Sequence, residues 1–149
     1  MMTEREITQE SGPTPVAHKD EFTVPTSDID ENGHVNNVSY VRWMQEIAVR
    51  HFAASGGEPV MHEAGATWVA RSHHVEYLRP TFEGDRIQAR TWVASFGRVR
   101  SVRKYEFAKL PEGTLVAKGE TEWVFVDAVT GRPRTIPETL KSFFRTVQD

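Results

Sequence analysis

Residues 27–40 read SDIDENGHVNNVSY, and they stand between two different hydrophobic periods. Before them, Phe22 and Val24 alternate with polar neighbours, as in a β-strand over residues 19–26. After them, apolar residues recur at the spacing of an amphipathic helix, which Ser55-Gly56-Gly57 ends. The helical positions are Tyr40, Trp43, Met44, Ile47, Ala48, His51 and Phe52. The quoted stretch is therefore predicted to be a turn that leads into a helix.

The chain after this helix is mostly strand-like. Predicted strands cover residues 67–77, 86–95, 98–109 and 114–127, and turns rich in Gly, Pro and Asp join them. Residues 58–65 are predicted to form a loop or a short helical turn, and residues 137–147 a short terminal helix. Short connections favour antiparallel neighbours, and a single helix with a broad apolar stripe has to pack on the sheet. We therefore expect an α+β domain of two layers over residues 19–149.

Composition is typical of an ordinary globular domain and excludes several function classes. The 18 Lys and Arg against 21 Asp and Glu give a net charge of −3, which argues against a nucleic-acid partner. The absence of cysteine excludes disulfides, thiolate metal sites and a cysteine nucleophile. No stretch is apolar enough to span a membrane, and residues 1–18 lack the apolar core of a signal peptide. We expect a disordered tail over residues 1–18 and a cytoplasmic protein.

The quoted stretch also concentrates groups that can carry acid–base chemistry. Asp30, Asn32 and His34 alternate, so an extended backbone here would aim all three side chains to one side. A carboxylate near an imidazole and an amide can activate water or attack directly, and the N–H groups that begin a helix can stabilise an oxyanion. Asp and Asn are also common helix caps and turn residues, so a structural role is the simpler alternative. Because one cap needs one such residue, the cluster favours acyl transfer or hydrolysis.

The run from Asp28 to Trp43 closely resembles the signature of 4-hydroxybenzoyl-CoA thioesterase-like hot-dog proteins. It also resembles the corresponding segment of plant-type acyl-ACP thioesterases. Weaker resemblances at residues 76–85 and 125–133 follow in the family's order, so that together they cover residues 19–145. The resemblance implies an antiparallel five-stranded sheet wrapped around one long central helix. It further implies a homodimer, or a dimer of dimers, with active sites at the dimer interface.

The resemblance also implies roles for particular residues. The Asp-x-Asn-x-His pattern held to be catalytic in the plant-type enzymes falls on Asp30, Asn32 and His34. In the hydroxybenzoyl-type enzymes the second Asp of an Asp-x-Asp pair is the nucleophile or base, which is again Asp30. The backbone N–H that polarises the thioester carbonyl would belong to Asn37. The hydroxybenzoyl-type enzymes lack the Asn and His, and the plant-type enzymes carry two repeats, so direct attack and water activation by Asp30 both stay open.

The predicted function is hydrolysis of an acyl-CoA or acyl-ACP thioester, with coenzyme A as part of the substrate and no separate cofactor. Arg98, Arg100 and Arg103 are candidate contacts for the phosphates of coenzyme A, or else an ordinary solvated face. No metal site is predicted, since His73 and His74 are adjacent in a strand and point opposite ways. A non-catalytic acyl-CoA-binding protein is an alternative. A hot-dog dehydratase or hydratase matches less well, because its Asp–His spacing and intervening Pro are not found here.

Overall fold

A five-stranded antiparallel sheet forms the larger layer of the fold. The structure is a computed structural model that describes residues 17–147. Its strands are β1 His18–Thr23, β2 Ala66–Tyr77, β3 Arg86–Phe96, β4 Arg100–Leu110 and β5 Thr114–Asp127. They lie in the order β1-β3-β4-β5-β2, and every neighbouring pair is antiparallel. The predicted strands are confirmed, with small shifts at their ends.

One long helix, α1, spans Asn37–Ser55 and packs on the sheet. Five of its predicted apolar positions are buried, namely Tyr40, Trp43, Met44, Ile47 and Ala48. Gly56 ends α1 with a φ of 88°, a left-handed conformation that suits glycine at this position. A second helix, α2, follows at Gly57–Glu63. The predicted α+β arrangement of a sheet around a central helix is confirmed.

The terminal helix is shorter than its apolar spacing predicts. Helix α3 covers Glu138–Lys141, and the chain then leaves the helical path. A helix through this segment would place Leu140, Phe143 and Phe144 on one apolar side; Leu140 and Phe144 are buried, whereas Phe143 is 40% exposed. The prediction of a helix over residues 137–147 is therefore wrong in its extent, because burial of two anchor side chains does not require a continuous helix.

The core beneath α1 falls into two clusters. Beneath the N-terminal half of α1, buried side chains include Trp43, Met44, Tyr105 and Phe107. Next to α2 and α3 a second cluster holds Met61, Phe125, Ile136 and Leu140, and Phe52 of α1 packs against it. Gly119 permits the close approach of helix and sheet: a Cβ there would lie 2.7 Å from the Met44 sulfur. The two clusters place the two ends of α1 in different surroundings.

The division into a tail over residues 1–18 and a domain over residues 19–149 stays a prediction. Strand β1 begins at His18, one position before the predicted boundary, and residues 1–16 of the predicted tail lie outside the described residues. No helix within residues 17–147 is long and apolar enough to cross a membrane.

Candidate active site

The segment from Ile29 to Val35 is a closed loop before α1. Ile29 and Val35 form an isolated antiparallel bridge. Inside the loop the Asp30 N–H donates to the His34 carbonyl at 3.0 Å, and the Gly33 N–H donates to the Asp30 carbonyl at 3.0 Å. Gly33 has a φ of 84°, which the turn requires and which glycine adopts without strain. The extended conformation considered for residues 30–34 is therefore wrong, because the Asn32-Gly33 turn folds the segment back on itself.

Asp28, which the sequence analysis gave no role, anchors this loop to α1. Its side chain is 2% exposed and accepts hydrogen bonds from three donors on the first turns of the helix. These are Ser39 Oγ at 3.1 Å, Arg42 Nη2 at 2.9 Å and Trp43 Nε1 at 3.2 Å. The Asp28 carbonyl also accepts the Asn36 N–H at 2.8 Å. A buried carboxylate needs such donors to offset its lost hydration, so Asp28 is a structural link between loop and helix.

Asp30 lies two residues away in a different environment. It is half-buried, and its Oδ1 accepts the Asn32 N–H at 2.9 Å, as in an Asx turn. Its Oδ2 makes no hydrogen bond within residues 17–147. The His34 ring is half-buried and meets Phe82 edge to face, with 6.4 Å between ring centroids, while Asn32 is exposed. The loop thus gathers Asp30, Asn32 and His34, but in the described chain no hydrogen bond joins their side chains.

The start of α1 presents a backbone donor beside this loop. The Asn36 side chain caps the helix by accepting the Val38 N–H at 2.8 Å, and the Asn36 carbonyl accepts the Ser39 N–H at 3.0 Å. The Asn37 N–H makes no hydrogen bond within residues 17–147, and Asn37 is exposed. Tyr77 Oη donates to the Asn37 carbonyl at 3.0 Å. The unpaired N–H at a helix N-terminus favours a partial negative charge nearby.

Thr81, in the connection between β2 and β3, holds the loop from the other side. Its carbonyl accepts the Val35 N–H at 2.8 Å, and its hydroxyl lies 2.6 Å from the Tyr40 hydroxyl. Thr81 is buried, whereas the apolar side chains nearby are exposed: Val38 to 73%, Tyr77 to 46% and Phe82 to 44%. A firmly held polar loop surrounded by exposed apolar side chains has the character of a binding surface.

The three arginines predicted to contact coenzyme A are not on one surface. Arg98 and Arg100 are exposed, with Arg98 bonded to Thr135 Oγ1 at 2.9 Å and Arg100 near Glu122 at 3.4 Å. Arg103 is 6% exposed and lies on the buried face of β4, so its membership of a solvent-facing clamp is wrong. The role of Arg98 and Arg100 stays a prediction. Arg98 and Arg100 follow the C-terminal end of β3, whereas the Asp30 loop is held by Thr81, which precedes its N-terminal end. The length of β3 separates the two places by roughly 30 Å.

A metal centre finds no support among the described residues. Within residues 17–147 no three His, Cys, Asp or Glu side chains come close enough together to hold a metal ion.

Comparison with known proteins identifies the family. A family model described as the thioesterase-like superfamily matches residues 24–144, which include the Asp30 loop, the whole of α1 and β2–β5. The chain belongs to the thioesterase-like superfamily. Among curated relatives of this thioesterase-like chain, a chloroplastic palmitoyl-acyl carrier protein thioesterase of Gossypium hirsutum is 24% identical over 127 residues, covering 80% of this chain and 31% of the relative. Oleoyl-acyl carrier protein thioesterase 1 of Arabidopsis thaliana is 20% identical over 133 residues, covering 85% of this chain and 37% of the relative.

Solved structures share the fold of this thioesterase-like chain. A DHNA-CoA thioesterase from Staphylococcus aureus superposes with a TM-score of 0.75 at 22% identity, covering 85% of each chain. A second S. aureus protein, solved in complex with CoA, gives 0.78 at 20% identity, covering 85% of this chain and 80% of the other. The 12:0-ACP thioesterase from Umbellularia californica gives a TM-score of 0.78 at 19% identity, covering 88% of this chain and 51% of the other. These similarities confirm the hot-dog fold that the sequence resemblance implies, and the chain spans about a third of the curated relatives it matches.

Proposed function

We propose that this chain hydrolyses acyl thioesters and that Asp30 is its nucleophile or general base. One observation carries the proposal: of the two aspartates in the loop, Asp28 is bound by three side-chain donors, whereas Asp30 keeps one carboxylate oxygen without a hydrogen bond in the described chain. This oxygen belongs to a firmly anchored loop at the N-terminus of α1. Membership of the thioesterase-like superfamily supports the same reaction class.

Thioester hydrolysis requires only a few catalytic groups from this loop. Asp30 attacks the thioester carbonyl or removes a proton from an attacking water, and the carbonyl oxygen becomes an oxyanion. The Asn37 N–H is the proposed donor to that oxyanion, and such a donor contributes about 10²–10³ in rate. The His34 ring is the proposed carrier of a proton to the departing thiolate, and Asn32 orients the water or the substrate. The oxyanion then collapses and expels the thiolate, which leaves readily and takes up a proton. In the direct-attack route a water subsequently hydrolyses the acyl–Asp30 anhydride, which releases the acid and restores the Asp30 carboxylate.

Coenzyme A and an acyl carrier protein are both suitable carriers. The related proteins include acyl-carrier-protein thioesterases and a DHNA-CoA thioesterase, and another structural neighbour was solved with CoA. The names state what the related proteins act on or bind. They support the proposal that this chain acts on a thioester of either coenzyme A or an acyl carrier protein.

The working unit is proposed to be a homodimer or a dimer of dimers. Strand β2 is an edge strand that pairs only with β5 in the described chain. It is 12 residues long, contains no proline and is largely exposed. A long unprotected edge is suited to accept the same strand of a second copy, with a two-fold axis between them. Light scattering after size exclusion should give two or four times the 16.9 kDa chain mass, and a single-chain mass at micromolar concentration would contradict the proposal.

Thiol release from short, long and aromatic acyl-CoAs, and from acyl-ACPs, tests the activity. We expect turnover by the wild type and a loss of about 10²–10⁴-fold in kcat for Asp30→Asn, which keeps the shape of the side chain. Glu31→Gln is the matched control, because Glu31 is an exposed acid in the same loop; it should retain the wild-type rate. Turnover that survives in Asp30→Asn would refute the role of Asp30.

A non-catalytic acyl-CoA-binding protein is the second candidate. The observation in its favour is that, in the described chain, Asp30, Asn32 and His34 are not hydrogen-bonded to one another. Acyl-CoA or acyl-ACP binding, measured by calorimetry, with no thiol release from any ester would favour this candidate over hydrolysis.

A further inference from the structure

A cavity of about 230 Å³ lies between the C-terminal half of α1 and the sheet. Its walls are mostly aromatic, with the rings of Phe52, Trp68, Phe96, Trp123 and Phe144. Gln45 and Val49, both exposed on α1, also belong to its lining. The closely packed Tyr40, Trp43 and Met44 separate it from the Asp30 loop at the other end of the helix. The cavity is therefore a separate site within one chain.

Arg103 brings a buried positive charge to this aromatic cavity. The side chain lines the cavity and is 6% exposed. Its hydrogen bonds go to neutral partners: Nη1 donates to His51 Nδ1 at 2.8 Å and to Thr91 Oγ1 at 3.1 Å. No carboxylate within residues 17–147 lies within 4.0 Å of the guanidinium. Burial lowers the pKa of Arg103 to about 10, which leaves the group charged at pH 7.

The unused donors of Arg103 have the geometry of an anion site. Both of its hydrogen bonds leave from Nη1, so Nε and Nη2 are without partners within residues 17–147. These two nitrogens form the edge of the guanidinium that matches both oxygens of a carboxylate. A buried charge without a partner is costly, and a fold has no structural need to place one against an aromatic wall.

Trp123 adds a second polar group to the cavity wall. Its indole Nε1 is buried near the Tyr105 hydroxyl, and neither atom makes a hydrogen bond of ordinary geometry in the described chain. Trp123 lies on the same face of the sheet, where Arg103 pairs with Thr121 and Ser101 pairs with Trp123 in the β4–β5 register. The cavity wall also carries the half-buried Glu58 carboxylate and the neutral polar side chains of Gln45, Thr67 and Ser101. The guanidinium of Arg103 offers only N–H donors, so its free edge selects a ligand group that accepts hydrogen bonds.

We propose that this cavity binds a small apolar carboxylic acid, with its carboxylate on the Nε–Nη2 edge of Arg103 and its hydrocarbon body, preferably an aromatic ring, among the aromatic side chains. Within one chain this cavity is apart from the Asp30 loop, and the proposal does not depend on hydrolysis. A neutral ligand of the same shape gains the apolar contacts but not the paired charge, so the carboxylate is the feature that the site discriminates.

Calorimetry with the full chain tests the proposal, using phenylacetate and its neutral counterpart 2-phenylethanol as probes. We expect phenylacetate to bind wild type at least tenfold more tightly than 2-phenylethanol. Arg103→Met should remove this preference, whereas Arg86→Gln, which changes an exposed arginine of β3, should keep it. Quenching of the tryptophan fluorescence, to which Trp68 and Trp123 of the cavity wall contribute, gives an independent signal of binding.

Two results would overturn the proposal: absence of phenylacetate binding to the wild type at millimolar concentration, or equal affinity for the two probes. Persistence of the preference in folded Arg103→Met would overturn it as well. If circular dichroism shows that Arg103→Met is unfolded, Arg103→Lys takes its place, because lysine keeps the charge and lacks the planar fork. We then expect the preference to fall several-fold without vanishing, and an unchanged preference would count against the proposal.

Discussion

Asp28 and Arg103 are both buried charged side chains, and they lie at opposite ends of α1. The carboxylate of Asp28 accepts from Ser39, Arg42 and Trp43, so this chain supplies all that a buried carboxylate needs. The guanidinium of Arg103 donates to an imidazole and a hydroxyl, with no carboxylate beside it in the described chain. The fold itself neutralises the charge of Asp28, which is therefore part of the structure, whereas the charge of Arg103 without a carboxylate beside it is the basis of the proposed ligand site.

Asp28→Ala should give the largest effect on stability, because it leaves the Trp43 indole and the Ser39 hydroxyl without their acceptor and Arg42 without its counter-ion. We expect a loss of about 3 kcal/mol in the free energy of unfolding. Urea denaturation measures it. Asp30→Asn is the control and should unfold at the wild-type urea concentration. A loss below about 1 kcal/mol for Asp28→Ala would mean that this carboxylate is not the anchor described here.

The pH dependence of stability tests the surroundings of Arg103, the second buried charge in the comparison. Burial, and then the charges of Arg103 and His18, lower the pKa of His51 from 6.5 to about 3. Between these values the unfolded chain binds a proton at His51 that the folded chain excludes, so stability falls as the pH drops from 6.5. The loss amounts to about 2 kcal/mol between pH 6.5 and 5.

His51→Gln isolates this contribution, because glutamine still offers Arg103 a hydrogen-bond acceptor and cannot take up a proton. Urea unfolding at pH 7 and pH 5 should show a pH-dependent loss that is smaller in His51→Gln than in wild type by about 2 kcal/mol. The other titrating groups are common to both proteins and cancel. Equal losses in the two proteins would show that His51 accepts a proton in the folded state.

Asn36→Ala should give the smallest effect. Its side chain caps α1 through the Val38 N–H, near the surface where water can replace the lost bond. We expect the free energy of unfolding to fall by about 1 kcal/mol, compared with about 3 kcal/mol for Asp28→Ala. Thermal or urea unfolding measures this change. Asn36→Asp retains an acceptor and should stay close to wild type. A larger loss for Asn36→Ala than for Asp28→Ala would reverse the ranking of the two anchors.

Strands and the long helix could be read from the sequence because their apolar periods are local. Helix α1 and strands β2–β5 were found close to their observed limits. The terminal helix was overestimated, since the spacing of Leu140 and Phe144 reports burial and does not require helical backbone throughout. At the site, the sequence indicated which loop matters but gave the wrong backbone for residues 30–34. It also gave no role to Asp28, whose three donors are 11 to 15 positions away along the chain.

By itself, the sequence determined the class of fold, the family and the loop at the head of α1, because each rests on residues close together along the chain. Only the tertiary structure decided which aspartate is enclosed and which remains open, since a side chain's hydration depends on what the helix places around it. The same holds for the arginines: Arg98, Arg100 and Arg103 look alike in sequence, and the pleat of β4 alone turns Arg103 inward. Side-chain type is a local property, but burial and charge pairing are properties of the folded chain.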